Sequence, residues 1–332
     1  MRDISSPPPT APILSILTAS YNQGEFLEQT IRSVLRQSGD FYLDYVVADG
    51  GSSDGSVEII RRYEGLLAAS CELVRLGELG YYRSVAPNFP WCRCRGVSYR
   101  WRSGPDGGQI QALRAAFPQT VGTLVAWLNS DDYYLGDEAL ARVLARHLAE
   151  PDAAIVTGDC SIVDREGREL WKHAVGRVNL RELVHLDYHL PQSSTFVRRD
   201  VLLRYDLDPA RKCTFDTDFF IAVLSDGHRL VKLDDELSAF RLYGDNITSD
   251  PTLQSRIFRE KMTILRRRSD HRLHAALSRL YQYWTYVLKP RADRHRRLGP
   301  WMERARARYR ELCYRVILGE GYAARYVRGG AA

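Results

Sequence analysis

The sequence lacks the marks of several protein classes. No apolar run approaches the ~20 residues that cross a bilayer, and the first residues show no charged segment followed by an apolar stretch, so we expect neither a transmembrane helix nor a signal peptide. The six cysteines are scattered, and Cys92 and Cys94 form a lone C-x-C, which favours neither a disulfide framework nor a zinc site. We therefore expect reduced thiols in a cytoplasmic protein.

Two common nucleotide-binding loops are also missing. No predicted strand is followed by G-x-G-x-x-G or by G-x-x-x-x-G-K-S/T, so a nicotinamide site and a P-loop lack support. What is present is an ordinary globular composition, with 45% hydrophobic and 27% charged residues. Its 332 residues suffice for one large or two modest domains.

Charge is distributed unevenly along the chain. Residues 251–332 hold 20 Lys and Arg against 6 Asp and Glu. Since the whole chain carries +6, residues 1–250 carry about −8. The acidic part suits a metal site, and the basic tail suits an anionic surface.

Short apolar runs alternate with segments of helical periodicity. The pattern predicts strands at 13–18, 45–48, 123–128 and 154–159, and helices near 26–35, 57–63, 109–117, 137–149 and 214–224. This alternation predicts a parallel sheet flanked by helices, in which ligands bind at the carboxyl ends of the strands.

Three further segments complete the predicted layout. Residues 77–108, rich in Gly, Pro, Arg and aromatics, are predicted to be a loop-dominated insertion. A hairpin is expected around the turn 164–167. From about residue 252 the chain is predicted to be helical, with breaks at Pro290 and at Gly299-Pro300 and an apolar face. That face comprises Leu273, Leu277, Leu280, Tyr281, Trp284 and Leu288.

The segment Asn129-Ser130-Asp131-Asp132 directly follows a predicted strand. Two adjacent carboxylates raise each other's pKa, and a divalent cation relieves that repulsion. Hard oxygen ligands suit Mg²⁺ or Mn²⁺. The alternative is a helix N-cap, because an aspartate before a helix commonly accepts hydrogen bonds from free N–H groups.

Two other acidic segments allow similar alternatives. Asp49 and Asp54 lie in a Gly/Ser turn after a strand, where a carboxylate can bind a base or ribose or simply shape the turn. Asp216 lies in Phe215-Asp216-Thr217-Asp218. It is a candidate general base, and a helix-start aspartate is its structural alternative.

Taken in order, these segments resemble the inverting glycosyltransferase family 2, whose members have the GT-A fold. The resemblance covers residues 12–248. Its segments are Thr18–Gly24, Ala48–Ser56, Pro105–Gln109, Trp127–Asp132, Pro191–Phe196 and Asp216–Phe219. It implies an α/β nucleotide-binding fold with a mainly parallel twisted sheet, followed by a helical basic C-terminal extension.

The resemblance also implies a site for a nucleoside-diphosphate sugar. The implied donor-binding residues are Thr18, Ala19, Tyr21, Asn22, Asp49, Asp106, Gln109, Asn129, Ser130, Asp131 and Arg241. Among them Asp131 matches the metal-binding position, occupied by Mg²⁺ or Mn²⁺ on the diphosphate. The family's aspartate–any–aspartate motif here begins with Asn129, which adds no charge.

Asp216 matches the family's catalytic base. The implied reaction is a single displacement at the anomeric carbon, in which Asp216 activates the acceptor hydroxyl and a nucleoside diphosphate leaves. In Phe240–Thr248 many relatives have His where this chain has Tyr243. Arg241 remains there to bind phosphate or to brace the loop.

Three domains are predicted: a flexible N-terminus at 1–11, the glycosyltransferase domain at 12–250, and the Arg-rich helical extension at 251–332. The expected acceptor is a glycan or a lipid-linked hydroxyl, in surface polysaccharide synthesis. The extension is expected either to lie on the anionic cytoplasmic face of a membrane, or to pack on the catalytic domain or on a second copy. No nucleic-acid motif accompanies its charge, so nucleic-acid binding is not expected.

Two other functions compete with this hypothesis. A sugar-nucleotide pyrophosphorylase would need a basic glycine-rich loop after the first strand, and Ala19–Gly24 has no Lys or Arg. A catalytically inactive carbohydrate-binding protein on the same fold would be expected to have lost Asp131 or Asp216, and both are present.

Overall fold

The computed structural model describes residues 11–86, 89–186, 188–244, 253–269, 271–288 and 299–318. The chain divides into two compact units. The first contains the described residues up to Gly176, together with Leu190–Pro209 and His228–Leu242. The second contains Arg177–His189, Ala210–Gly227 and the described residues from Tyr243 onward. The domain bounds predicted above stay a prediction, and residues 1–10 of the expected flexible N-terminus lie outside the described residues.

A twisted sheet of eleven strands, counted over the described residues, forms the first unit. The strands are β1 (Ile13–Ser20), β2 (Gly39–Asp49), β3 (Cys71–Leu76), β4 (Leu79–Ser84), β5 (Cys94–Ser103), β6 (Leu124–Trp127), β7 (Tyr133–Tyr134), β8 (Ala153–Val163), β9 (Glu169–His173), β10 (Thr195–Arg198) and β11 (Arg229–Arg241). Their spatial order is β3-β4-β5-β2-β1-β6-β10-β8-β11-β7, with β9 paired to β8.

Helices lie in both units. In the first unit they are α1 (Gly24–Leu35), α2 (Ser56–Ser70), α3 (Gln109–Ala116), α4 (Ala139–Ala149) and α6 (Arg199–Leu202). In the second unit they are α5 (Leu180–His185), α7 (Phe215–Ser225), α8 (Gln254–Arg268), α9 (Arg272–Tyr283) and α10 (Gly299–Leu318).

The predicted parallel arrangement is confirmed at the centre of the sheet. Strands β5, β2, β1 and β6 are mutually parallel neighbours, and β8 and β11 form a further parallel pair. Other pairs, such as β3 with β4 and β6 with β10, are antiparallel. Leu14 and Ile16 of β1 and Leu43 of β2 are fully buried, as expected for strands covered on both faces.

The prediction of a loop-dominated segment at 77–108 is wrong. It contains β4 and the ten-residue strand β5, which pairs with β2. Arg100, which interrupts the apolar pattern of β5, has partners in the structure. The Arg100 guanidinium donates to the fully buried carboxylate of Asp44 on β2 at 2.6 Å and to the carbonyl of Gln119 at 2.9 Å.

The predicted hairpin around 164–167 is confirmed. Strand β8 pairs antiparallel with β9, and the turn closes with the Gly167 amide donating to the carbonyl of Asp164 at 3.0 Å. The segment 161–163 continues the predicted strand 154–159, so that both form the single strand β8.

The C-terminal helices α8, α9 and α10 belong to the second unit. Its core contains Leu186, Tyr281, Cys313 and Ile317. The predicted apolar face is divided, because Tyr281 is buried whereas Leu273 and Leu280 are about half exposed. Helix α10 begins at the predicted Gly299 boundary, and Pro290 lies outside the described residues. Within the described part of the chain, no helix combines the length and apolarity needed for a bilayer span.

Candidate active site

Four parallel strands of the first unit end at one edge of the sheet. Ser20 of β1 is in register with Asp49 of β2, which is in register with Ser103 of β5, and Leu17 of β1 pairs with Trp127 of β6. The predicted donor-binding segments therefore begin side by side, at the edge where ligands of such sheets bind.

The Asp49 carboxylate, only 1% exposed, lies inside its own turn. It accepts hydrogen bonds from the amides of Gly51 and Ser52, both at 3.0 Å, and from the hydroxyls of Ser52 at 2.5 Å and Ser103 at 2.6 Å. Ser103 was missed at the sequence level because β5 was missed. Asp49 thus fixes the shape of this loop, and its contact with a base or ribose stays a prediction.

Asn22 joins the loop after β1 to the loop after β2. Its backbone has a left-handed φ of 51°, its amide donates to the Ser52 hydroxyl at 2.8 Å, and its side-chain oxygen accepts from the Ser53 amide at 2.9 Å. Asp54 adds a second link by accepting from the Gly24 amide at 2.7 Å. Partial burial opposes its ionisation, but this bond and those from Ser56 lower the pKa of Asp54.

Tyr21 and Asp106 approach each other above Gly50. A Cβ atom at Gly50 would lie 3.2 Å from Cδ2 of Tyr21 and 3.3 Å from both carboxylate oxygens of Asp106. The Tyr21 side chain is 64% exposed, as an aromatic surface for stacking must be. Thr18 is fully buried and its hydroxyl lies 3.2 Å from that of Tyr45, so its side chain supports the strand.

Gln109 and Asn129 form a hydrogen-bonded pair. The Gln109 side-chain amide donates to Oδ1 of Asn129 at 2.7 Å, and the Asn129 amide donates to Oδ2 of Asp132 at 3.3 Å. The amide at position 129 therefore connects α3 to the turn after β6. A carboxylate at this position would be repelled by Asp132.

The turn holding Asp131 is fixed through its main-chain carbonyls. The Thr30 hydroxyl donates to the carbonyls of Ser130 at 2.9 Å and Asp132 at 2.7 Å. The Arg241 guanidinium donates to the carbonyl of Asp131 at 3.0 Å. The sequence carries no local signal for the contacts that Thr30 and Arg241 make with this turn, because the residues they join are about 100 positions apart.

Arg241 is itself nearly buried, at 2% exposure. Its guanidinium also donates to Oε1 of Gln29 at 2.7 Å and lies 4.6 Å from the centre of the Phe26 ring. These contacts hold Arg241 against the turn after β6 and against α1, and its expected roles in binding phosphate or bracing the Phe240–Thr248 loop stay predictions. Asp245 to Thr248, the end of the same predicted segment, lie outside the described residues.

The two carboxylates of the turn differ in environment. Asp132 is 1% exposed and accepts from the Arg241 amide at 3.0 Å. Burial, together with the charge of Asp131, raises the pKa of Asp132.

Asp131 is half-buried, which leaves part of its surface accessible. This single carboxylate fits Mg²⁺ or Mn²⁺, which take one or two protein carboxylates and complete their shell with phosphate and water. No group of three or more His, Cys, Asp or Glu able to hold a metal occurs among the described residues.

Asp216 lies in the second unit, in the first turn of α7. Oδ1 of Asp216 accepts from the Thr217 amide at 2.7 Å. Burial raises the pKa of Asp216, against the opposing effects of that hydrogen bond and of the charge on His189. A carboxylate with a raised pKa is a better proton acceptor, which suits a general base.

Comparison with known proteins decides the family. The profile of "Glycosyl transferase family 2" matches residues 15–205, more than half of the chain. The chain belongs to this family.

Curated relatives match over part of their length. The putative teichuronic acid biosynthesis glycosyltransferase TuaG of Bacillus subtilis is 38% identical over 127 residues, which are 38% of this chain and 39% of that protein. An uncharacterized glycosyltransferase of Mycobacterium tuberculosis is 27% identical over 135 residues, 41% of this chain and 40% of the relative. The chain thus spans about two fifths of the length of these relatives.

Solved structures match over most of this chain. TarS 1-349 of S. aureus in complex with UDP-GlcNAc has a TM-score of 0.54 at 15% identity, over 92% of this chain and 81% of that one. The mannosyltransferase PcManGT from Pyrobaculum calidifontis, in complex with GDP-Man and Mn²⁺, has a TM-score of 0.52 at 17% identity, over 98% and 81%. These similarities confirm the predicted GT-A-type α/β fold.

Proposed function

We propose that this family 2 enzyme transfers a sugar, with inversion, from a nucleoside-diphosphate donor to a hydroxyl of a glycan or lipid-linked acceptor. The observation that carries the proposal is the turn after β6, where Asp131 is half-buried and partly accessible beside the buried Asp132. This turn follows β6, which is parallel to β1, and β1 is in turn parallel to the strand that ends at Asp49; Tyr21 directly follows β1.

The first unit supplies the donor side of the proposed reaction. Tyr21 offers an exposed ring on which a base can stack, and Asn22 and Asp49 hold the two loops beneath it. Asp106 and Gln109 face the sugar in this proposal. When bound at Asp131, Mg²⁺ or Mn²⁺ would neutralise negative charge on the departing diphosphate.

Asp216 supplies the proposed base. As the acceptor oxygen forms its bond to the anomeric carbon, the bond to the diphosphate oxygen breaks and the acceptor proton passes to the carboxylate of Asp216. Positioned proton transfer of this kind typically contributes ~10²–10⁴-fold in rate. The displacement needs no covalent intermediate.

The names of similar proteins support a surface polysaccharide or a related anionic polymer as the product. TuaG is named for teichuronic acid biosynthesis. The Arg-rich helices expose Leu273, Leu280 and Leu312, which supports our proposal of peripheral contact with the anionic cytoplasmic face of a membrane, near a lipid-linked acceptor.

A nucleotide-sugar panel tests this function. We expect UDP- or GDP-sugars to raise the melting temperature of the full chain in the presence of Mn²⁺, and one donor to release its nucleoside diphosphate. Asp131→Asn should remove the Mn²⁺-dependent part of both signals. The proposal fails if no donor of the panel binds, or if Asp131→Asn retains full Mn²⁺-dependent release.

Asp206→Asn is the matched control. Asp206 is an exposed aspartate of the same unit that pairs with Arg114 at 2.6 Å. Because exposed ion pairs contribute only about 0–1 kcal/mol, this variant should bind the donor and Mn²⁺ as the wild type does.

A further inference from the structure

Helix α8, which lies outside the matched family segment, is joined to the start of α7. Oε2 of Glu260 accepts from the Cys213 amide at 3.0 Å and from the Thr214 hydroxyl at 3.1 Å. These two residues immediately precede α7, which carries Asp216. The contacts fix the position of the neighbouring residue, Lys261, relative to that helix.

Lys261 is a buried lysine, at 5% exposure. Its Nζ lies 2.9 Å from Nε2 of His189 and 4.9 Å from the centre of the Tyr286 ring. Burial lowers the pKa of Lys261 well below its usual value. Full burial of a lysine side chain is rare and unfavourable unless its amine has polar partners. The contact with His189 is therefore expected to matter for the protein.

The contact with Lys261 constrains the protonation of His189. Two protonated groups cannot form a 2.9 Å hydrogen bond, so Lys261 and His189 together carry at most one positive charge. Because burial lowers the pKa of Lys261, its neutral amine can accept a hydrogen bond from the Nε2–H of a protonated His189, which leaves the charge on the imidazole and a second proton on Nδ1. Nδ1 lies 3.4 Å from the Thr217 hydroxyl, and the Thr217 amide donates to Asp216 at 2.7 Å.

The charge of a protonated His189 acts on Asp216. The electrostatic interaction of Asp216 with His189 favours the ionised carboxylate and opposes the effect of burial. Nearby, Arg211 and Asp218 form their own ion pair at 2.5 Å. The elements around α7 also carry other titratable groups, which include Glu182, His185, Glu260 and Tyr286 and the arginines Arg181, Arg256 and Arg259.

We propose that Lys261 is a positioning residue for the base, acting through His189 to orient the imidazole and keep the Asp216 carboxylate ionised. The inference rests on the proposed role of Asp216. It assigns to the C-terminal extension a part in the chemistry, separate from any contact with a membrane.

Lys261→Met tests the proposal by a split between kcat and KM. Methionine fills a similar volume without a charge. If the pKa of Asp216 rises by about one unit, kcat should fall about tenfold at pH values below the new pKa. KM for the donor selected by the panel should stay within about twofold, since donor binding is not the affected step. Raising the pH should restore much of the lost rate.

Two histidine variants separate the contacts of the ring. His189→Gln can place an oxygen near the Nε2 position and keep the lysine contact. His189→Asn reaches only the Nδ1 position and keeps the Thr217 contact. Neither amide can carry the charge of a protonated imidazole, so the proposal predicts that both variants raise the pKa of Asp216, even though His189→Gln keeps the contact with Lys261.

Ile264→Val is the packing control, because Ile264 is a buried apolar residue of the same helix. If Lys261→Met loses activity only in proportion to its loss of melting temperature, as Ile264→Val does, the role is structural and the proposal is wrong. A Lys261→Met enzyme with wild-type kcat and pH profile would also contradict it.

A spectroscopic measurement separates failure of this inference from failure of the proposed function. In ¹³C-aspartate-labelled full-length protein, with Asp216→Asn for assignment, Lys261→Met should raise the pKa of the Asp216 carboxyl group. This holds even if no donor is turned over. An unchanged Asp216 titration overturns the inference whatever the activity shows.

Discussion

The surroundings of Asp131 and Asp216 differ in kind. The turn of Asp131, in the first unit, is held by donors to main-chain carbonyls, from Thr30 and Arg241. Asp216, in the second unit, interacts electrostatically with His189, whose ring contacts the buried Lys261. In our proposal the first arrangement fixes the geometry of the turn after β6, and the second sets the ionisation of the Asp216 carboxylate. Substitutions around Asp131 should therefore act on stability, and those around Asp216 on rate and its pH dependence.

The largest effect is expected from removal of Asp216, the proposed base. Asp216→Asn keeps the shape of the side chain but cannot accept the proton, so the rate of nucleoside-diphosphate release should fall by roughly 10²–10⁴-fold. Stopped-time assays with the selected donor measure this. Asp226→Asn, an exposed aspartate at the end of the same helix, should retain its activity. Equal losses of rate in both variants would show that Asp216 is not the catalytic base.

The pH profile of the wild type comes next. Only the ionised Asp216 accepts a proton, and burial raises the pKa of this carboxyl group. The rate should therefore fall about tenfold per pH unit below that pKa, beginning at a higher pH than an exposed aspartate would give. Melting temperatures taken at each pH separate this loss from unfolding. A flat profile down to the usual aspartate range would contradict the raised pKa.

Arg241→Met should affect stability more than any other substitution near Asp131. It removes the guanidinium that donates to the Asp131 carbonyl and to Oε1 of Gln29, so these two acceptors lose a hydrogen-bond donor. We expect the free energy of unfolding to fall by about 3 kcal/mol, as measured by urea denaturation. Arg165→Met removes an exposed pair with Glu25 and should lower it by about 1 kcal/mol or less. Equal losses would show that Arg241 does not brace the turn.

Thr30→Val gives the smallest of these effects. Valine preserves the shape but removes the hydroxyl that donates to the Ser130 and Asp132 carbonyls. The free energy of unfolding should therefore fall by about 1–2 kcal/mol. Thr123→Val, at an exposed threonine whose hydroxyl contacts the Ile13 carbonyl, should change stability by less than about 0.5 kcal/mol. If Thr123→Val lowers the free energy of unfolding more than Thr30→Val does, the Thr30 hydroxyl does not stabilise the turn after β6.

The same contrast explains what the sequence could predict. The strand that ends at Asp49, the turn after β6 and the helix start at Asp216 are local patterns of apolar runs and turn residues, and the sequence predicts their positions correctly. Strand β5 was missed because Arg100 interrupts its apolar pattern, and only the pairing with the buried Asp44 accounts for an arginine there. Lys261 is one of many basic residues in the tail, and its burial next to His189 depends on tertiary packing.

The link made by Asn22 has a consequence for motion. Because Asn22 exchanges hydrogen bonds with Ser52 and Ser53, the loops after β1 and β2 must open together. Their amides should exchange with deuterium as one cooperative unit, although Tyr21 and Asn22 are exposed. A nucleotide that contacts either loop would then slow exchange in both, so that hydrogen exchange reports occupancy at a distance from the bound base.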